Sequence, residues 1–252
     1  MSDQDLFRIG LLAWIGLAPI IAILLLKIAA PYGRHGRGSV GPRVPARLGW
    51  FLMELPALVV FPVLASLQGN LESPARVLLV FLWIVHYANR ALVYPWRLRA
   101  GSPMPVVILA SGITFNLING VLLGLGLSLF DAPSGYAWFA DPRPWLGLAL
   151  FLGGFTLNLR ADAVLRGLRG RGQGGYSIPR AGFFRFVSCP NYLGEIVEWT
   201  GWALISWSLP GLAFAVWTAA NLLPRALTHH RWYRQNFPDY PRDRKAILPL
   251  LL

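Results

Sequence analysis

Apolar residues run in seven long blocks, roughly 7–29, 49–67, 76–96, 104–130, 143–160, 191–208 and 210–227. None alternates polar and apolar positions, as the strands of about ten residues in a membrane β-barrel would. Most approach the roughly 20 residues a helix needs to cross the hydrocarbon. The pattern predicts an all-α, multi-pass membrane protein with seven transmembrane helices, forming a single domain over residues 1–252. The last two blocks are parted only by Ser208–Pro210, which predicts a tight helical hairpin. Pro56 and Pro62 predict a kink or break in the second helix, where Glu54 just precedes Pro56. The first block is too long for the apolar part of a signal peptide and lacks a basic flank before it, so it reads as a retained span.

Charge placement adds orientation. Of the 23 basic residues, 20 fall in four segments: between blocks one and two, at and after the end of block three, between blocks five and six, and after block seven. The alternate connections are poor in positive charge. The positive-inside rule then puts the N-terminus outside and the C-terminus in the cytoplasm. Composition agrees: 55% of residues are hydrophobic and only 13% charged, and mean hydropathy is +0.50. The net charge of +12 reports orientation and anionic lipid. No soluble segment carries a basic face, so nucleic acid is not the expected partner. Lysine occurs only at Lys27 and Lys245 among many arginines, which points to a GC-rich, bacterial genome. The expected location is therefore a bacterial inner membrane, or the endoplasmic reticulum in a eukaryotic cell. A single cysteine, Cys189, excludes an intrachain disulfide.

Against this apolar background the polar residues stand out, because ionisable groups in spanning segments normally face the bundle interior and mark a functional site. The stretch Ser188–Trp207 carries Asn191, Glu195 and Glu198 at spacings of four and three, on one helical face. Block two carries Glu54, which is either an ion-paired carboxylate near the interface or a buried acid that hydrogen-bonds a ligand. Block three carries Tyr87, Arg90 and Tyr94 at i, i+3 and i+7. Tyr94 fits an interfacial anchor, whereas Tyr87 lies deeper and its phenol needs a partner. His86 reads as a packed histidine. In block four, Asn116 and Asn119 read as interhelical amide glue. Block five ends with Asn158, Asp162 and Arg166 at intervals of four, followed by Arg169. After block seven, Arg225, His229 and Tyr233 repeat every four residues.

Several familiar chemistries are excluded. Gly36, Gly38 and Gly41, and again Gly170, Gly172 and Gly175, spell a dinucleotide fingerprint. Neither set follows a strand and opens a helix, so the fingerprint lacks its context. His229 and His230 are adjacent and no third histidine lies at metal spacing, so no metal is expected. No serine or cysteine sits on a nucleophile elbow. What remains is a set of arginines, amides and carboxylates gathered toward the cytoplasmic halves of the helices. It fits a large anionic cofactor such as a nucleotide, with Trp50, Trp199 and Trp202 able to wall an apolar pocket. The residues alone therefore describe a membrane enzyme that brings a lipid substrate to a cytosolic cofactor, and they do not choose the reaction.

At these residues the chain resembles the steroid 5α-reductase (3-oxo-5α-steroid 4-dehydrogenase) family. The matching blocks are RLGWFLMELP, VHYANRALVYP, NGVL, NLRADAVLRGLR, GYSIPRAGFF, NYLGEIVEWTGWAL and HHRWYRQNFPDYPRDRKAILP. They occur in the family's order and cover nearly the whole chain. The resemblance implies a seven-helix membrane enzyme that reduces the Δ4 double bond of 3-oxo steroids with NADPH. It implies that Glu54 and Tyr87 grip the steroid C3 carbonyl. It assigns the cofactor to Asn158, Asp162, Arg169, Tyr176, Asn191, Glu195, Arg225, His229 and Tyr233, with Arg90, Tyr94 and Arg166 in the same region. Arg169 or Arg171 is the candidate near the 2′-phosphate. The human-type motif carries Gln where this chain has Met53, which removes one polar contact near the carbonyl. Three rivals stay open: a reductase of another lipid enone or enoyl, such as a polyprenol or a thioester; an isoprenylcysteine-type methyltransferase using S-adenosylmethionine; and a transporter or lipid-binding scaffold. The expected partners are a steroid or other lipid substrate and membrane lipid, with no obligatory protein partner.

Overall fold

A computed structural model describes residues 1–28, 41–68, 70–98, 102–129, 136–168, 176–249 and 251. Its long helices coincide with the seven apolar blocks. They are α1 (Asp3–Lys27), α2 (Ala46–Leu67), α3 (Pro74–Ala88) continued by a π-helical turn (Asn89–Val93) and the short α4 (Tyr94–Arg97), α5 (Val106–Leu129), α6 (Pro142–Leu168), α7 (Pro190–Ser206) and α8 (Leu209–Asn236). The α1, α2, α3–α4, α5 and α6 segments are long and apolar enough to cross a membrane. Helix α7 has only 17 residues. Helix α8 is diluted by Pro210, Gly211, Asn221, Pro224 and Arg225 and ends in a charged third. The molecule is an all-α membrane protein. Arg43–Val44 and Met104–Pro105 pair as a minimal antiparallel ribbon.

Helix α2 passes through Pro56 and Pro62 without a break, so of the kink or break the prolines predict, the break does not occur. In a bundle, neighbouring helices take up the backbone groups a proline leaves free. The irregularity falls instead at Asn89–Val93, where the Tyr94 N–H reaches back to the Asn89 carbonyl. Pro95 supplies the cause: its ring clashes with the carbonyl four residues earlier, that of Ala91, and cannot donate to it. Widening to a π-turn relieves that clash, and such turns recur at functional sites. Arg90 sits inside it.

Two helix pairs pack backbone to backbone, as small residues allow in membranes. On α6 and α7, a Cβ added to Gly154 would strike the Gly194 carbonyl and the Glu198 nitrogen, and one added to Gly194 would lie 2.6 Å from the Asn158 nitrogen. Gly147 and Gly201 repeat the contact two turns away. On α5, Gly120 and Gly124 admit Val60 and Leu64 of α2, and Gly112 admits the Met53 side chain. Asn116 lies on that same stripe.

The core is aromatic. Trp83, Trp199, Trp202, Phe61 and Phe214 are buried together. Their indoles find carbonyls, as buried indoles must: Trp83 Nε1 donates to Ala57 O at 2.7 Å and Trp202 Nε1 to Leu79 O at 3.0 Å. The α7–α8 hairpin forms as expected, turned by Trp207 in the left-handed region (φ 42°, ψ 42°).

Candidate active site

The tight α6–α7 crossing brings two polar faces together. Asn158 Nδ2 donates to Glu195 Oε2 at 3.1 Å and to the Asn191 carbonyl at 3.0 Å. Asn191 Nδ2 donates to Asp162 Oδ1 at 3.3 Å. Arg90 enters from the π-turn, with Asp162 at 3.5 Å and Glu195 at 3.8 Å. Its guanidinium lies over the rings of Trp50 and Tyr94, 5.3 and 5.0 Å from their centroids, and cation–π attraction strengthens where water is excluded. Five predicted residues, Arg90, Asn158, Asp162, Asn191 and Glu195, thus form one network across three helices, with Tyr94 as its lid. Trp50 serves as a platform for the cation as well as an apolar wall.

Beside this network lies a second polar group. Glu54 is 8% exposed, and its Oε2 accepts from Asn116 Nδ2 at 3.3 Å. Asn116 Nδ2 also donates to the Met53 carbonyl at 2.7 Å. Met53 therefore contributes its backbone here, while its side chain rests on Gly112. Tyr87 is buried among Trp83, His86 and Trp199. Its hydroxyl has no hydrogen-bond partner among the described residues. Glu54, Tyr87, Arg90 and Glu195 lie within electrostatic range of one another.

Glu198 is tied to a residue that no local spacing suggests. His86 Nδ1 meets Glu198 Oε1 at 2.7 Å, with Glu198 wholly buried. His86 is packed as the sequence predicts, and its partner is Glu198. A histidine on α3 and a glutamate on α7, 112 residues apart, carry no shared sequence signal.

The remaining predicted residues gather toward the C-terminal segment. Tyr192 O–H and His229 Nε2 are 3.2 Å apart. Tyr176 packs edge-on to Trp232, with centroids 5.2 Å apart. Tyr233 is buried and stacks on Tyr240 at 5.2 Å. Arg225 is half-buried on α8, and Arg166 is half-buried near the end of α6. Arg169, Arg171 and most of both glycine triplets lie outside the described residues. Sequence reasoning missed the latch on the C-terminal segment: Ser188 Oγ lies 2.6 Å from both His230 Nδ1 and Tyr240 O–H, and it donates to the Lys245 carbonyl at 3.1 Å. Arg244 donates to the Pro179 carbonyl at 3.0 Å. The density of Tyr, His and Arg in that segment was the available signal.

An aromatic-walled polar interior, built from helices able to cross a membrane, defines the class: an integral membrane protein with acid–base groups collected inside its bundle. A family model described as 3-oxo-5-alpha-steroid 4-dehydrogenase matches residues 102–252. The chain is 42% identical over 257 aligned residues to steroid 5-alpha-reductase DET2 of Gossypium hirsutum, covering 99% of each. It is 40% identical over 261 residues to 3-oxo-5-alpha-steroid 4-dehydrogenase 1 of Bos taurus, covering 100% of each. Against 3-oxo-5-alpha-steroid 4-dehydrogenase 1 of Homo sapiens it is 43% identical over 222 residues, 87% of this chain and 85% of that protein. The chain belongs to the 3-oxo-5-alpha-steroid 4-dehydrogenase family, and it is an oxidoreductase.

Proposed function

We propose that this protein reduces the Δ4 double bond of 3-oxo-Δ4 steroids to the 5α-reduced ketones, with NADPH as the cofactor. The observation that carries the reading is the hydroxyl of the buried Tyr87, which has no hydrogen-bond partner among the described residues and lies in electrostatic range of the buried Glu54. A phenol so placed inside a membrane bundle is prepared for a ligand acceptor, because an unmet polar group there is costly.

The chemistry of the donor set fits a nicotinamide dinucleotide. Carboxylates and amides such as Asp162, Glu195, Asn158 and Asn191 suit ribose hydroxyls and a carboxamide. They do not suit phosphate, which the neighbouring acids would repel. Phosphates match the basic rim of Arg225, Arg231, Arg234 and Lys245, with Tyr176, His229 and Tyr233 in the same region. Arg166 and, by sequence alone, Arg169 are further candidates for the phosphates. The cofactor, when bound, supplies the hydride for C5. The protein supplies orientation and a donor where charge develops. Tyr87 holds its proton toward the C3 oxygen and stabilises the enolate as it forms. Glu54 supports that hydrogen bond, and the aromatic wall of Trp83, Trp199 and Trp202 excludes water from the reacting carbons.

In this reading all seven helical segments span the membrane, with the N-terminus outside and the C-terminus cytoplasmic, so the basic rim meets cytosolic cofactor. The arginine-over-lysine bias favours a bacterial inner membrane. The deciding experiment mixes purified protein with NADPH and a panel of 3-oxo-Δ4 steroids, following loss of absorbance at the NADPH wavelength and product mass. The expected result is steroid-dependent oxidation with a product heavier by two hydrogens. A thermal shift from S-adenosylmethionine, with none from NADPH, would overturn the proposal.

A further inference from the structure

We infer that Asn116 of α5 is the positioning residue for the Glu54 carboxyl and decides which of its oxygens faces the substrate. The inference rests on the proposed role of Glu54. An asparagine in a membrane helix is ordinarily helix-to-helix glue, but here its N–H2 reaches both the backbone and a candidate site carboxyl. Both protons of Asn116 Nδ2 are committed, one to the Met53 carbonyl at 2.7 Å and one to Glu54 Oε2 at 3.3 Å. The Met53 carbonyl settles which end of the amide points there: it can only accept, so it must meet the N–H2 and not the amide oxygen. The same constraint holds Glu54 Oε2 as an acceptor. The other oxygen, Oε1, has no hydrogen-bond partner among the described residues and is left as the atom that can carry a proton or meet a ligand.

The backbone makes this placement reliable. Gly112, Gly120 and Gly124 line the same face of α5 and let α2 approach closely enough for an asparagine at position 116, a short side chain, to reach across. Asn116 and Asn119 are both buried, at 5% and 2% exposure, yet Asn119 spends its N–H2 on the Phe115 carbonyl of its own helix. Only Asn116 of the two touches the candidate chemistry. A neutral amide also holds the carboxyl without adding a charge of its own.

The test is a double-mutant cycle on the full-length protein with NADPH and a 3-oxo-Δ4 steroid. Asn116→Leu keeps the volume and removes both hydrogen bonds. It is expected to lower kcat about tenfold to a hundredfold, the range for a hydrogen bond to a charged group, with KM for NADPH and for steroid within about twofold of wild type. In a Glu54→Gln background the same change is expected to cost less than about twofold further, because the group it positions is already gone. Unchanged kcat in Asn116→Leu, or an equal loss in both backgrounds, overturns the inference while leaving Glu54 intact. Full turnover in Glu54→Gln alone instead overturns the reading of Glu54. If Asn116→Leu melts too low to assay, Asn116→Ser takes its place in the same cycle.

Discussion

The polar groups around Arg90 and those around Glu54 lie within electrostatic range of each other, yet their hydrogen bonds are distributed differently. Around Arg90, the carboxylates of Asp162 and Glu195 and the amides of Asn158 and Asn191 are joined by contacts between 3.0 and 3.8 Å. Around Glu54, one carboxyl oxygen is held by Asn116 and the Tyr87 hydroxyl has no described partner. The first region is a cross-linked scaffold in which one guanidinium joins two carboxylates that also hold two amides. The second keeps a donor and an acceptor in reserve. A buried network that satisfies itself is rigid, and rigidity beside an unsatisfied pair is what a site needs if charge is to develop at a fixed point. In the proposed reading, the density of charged residues does not mark the reacting carbonyl; the open hydrogen-bonding atoms of Tyr87 and Glu54 do.

The contrast breaks most sharply at Tyr87. Tyr87→Phe is expected to lower kcat by about 100-fold or more, on the scale of a lost oxyanion donor at roughly 3 kcal/mol, with NADPH affinity within about twofold. Steady-state kinetics and a cofactor thermal shift check both halves. Arg90→Met does the reverse. It leaves Asp162 and Glu195 facing each other without their cation, and it should raise KM for NADPH about tenfold while steroid KM changes little. The cost to stability is on the order of 2 kcal/mol, below the 3–5 of a fully buried pair, because the Arg90 side chain is 14% exposed. A change in steroid KM larger than that in NADPH KM would erase the division between the regions. Gly154→Val acts on the frame beneath the Arg90 network. Its side chain meets the α7 backbone, so overpacking should cost about 1–3 kcal/mol and lower Tm, with cofactor binding weakened in step.

The smallest effect lies outside the membrane core, at His230. Burial first, then Arg234, Arg244 and Lys245, hold it below the ordinary 6.5. The folded protein thus resists a proton that the unfolded chain accepts from about pH 6.5 downward. Stability present above that value declines as pH falls through the lower folded value. His230→Gln should flatten the dependence of Tm on pH between about 5 and 7, and an unchanged slope would remove His230 from the Ser188 latch as a titrating member.

How far the sequence could be read varied with the range of the interaction. Spacing along one helix placed Asn191 with Glu195, and Asn158 with Asp162, because periodicity is local. The same logic placed Tyr87, Arg90 and Tyr94 on a shared face, without revealing the π-turn that Pro95 imposes between them. The prolines of α2 suggested a kink or a break, and the helix runs on unbroken. His86 with Glu198, Asn116 with Glu54, and Ser188 with His230 join different helices or segments and leave no trace in local spacing.

By itself, then, the sequence determined the helices, their apolar length, and which side chains were too polar to face lipid, since each follows from hydropathy and a fixed helical pitch. The tertiary structure alone decided which polar groups satisfy one another and which stay open. Glycine contacts set the distance and rotation between α6 and α7 and between α2 and α5. A difference of one methyl group there decides whether Asn158 reaches Glu195 and whether Asn116 reaches Glu54.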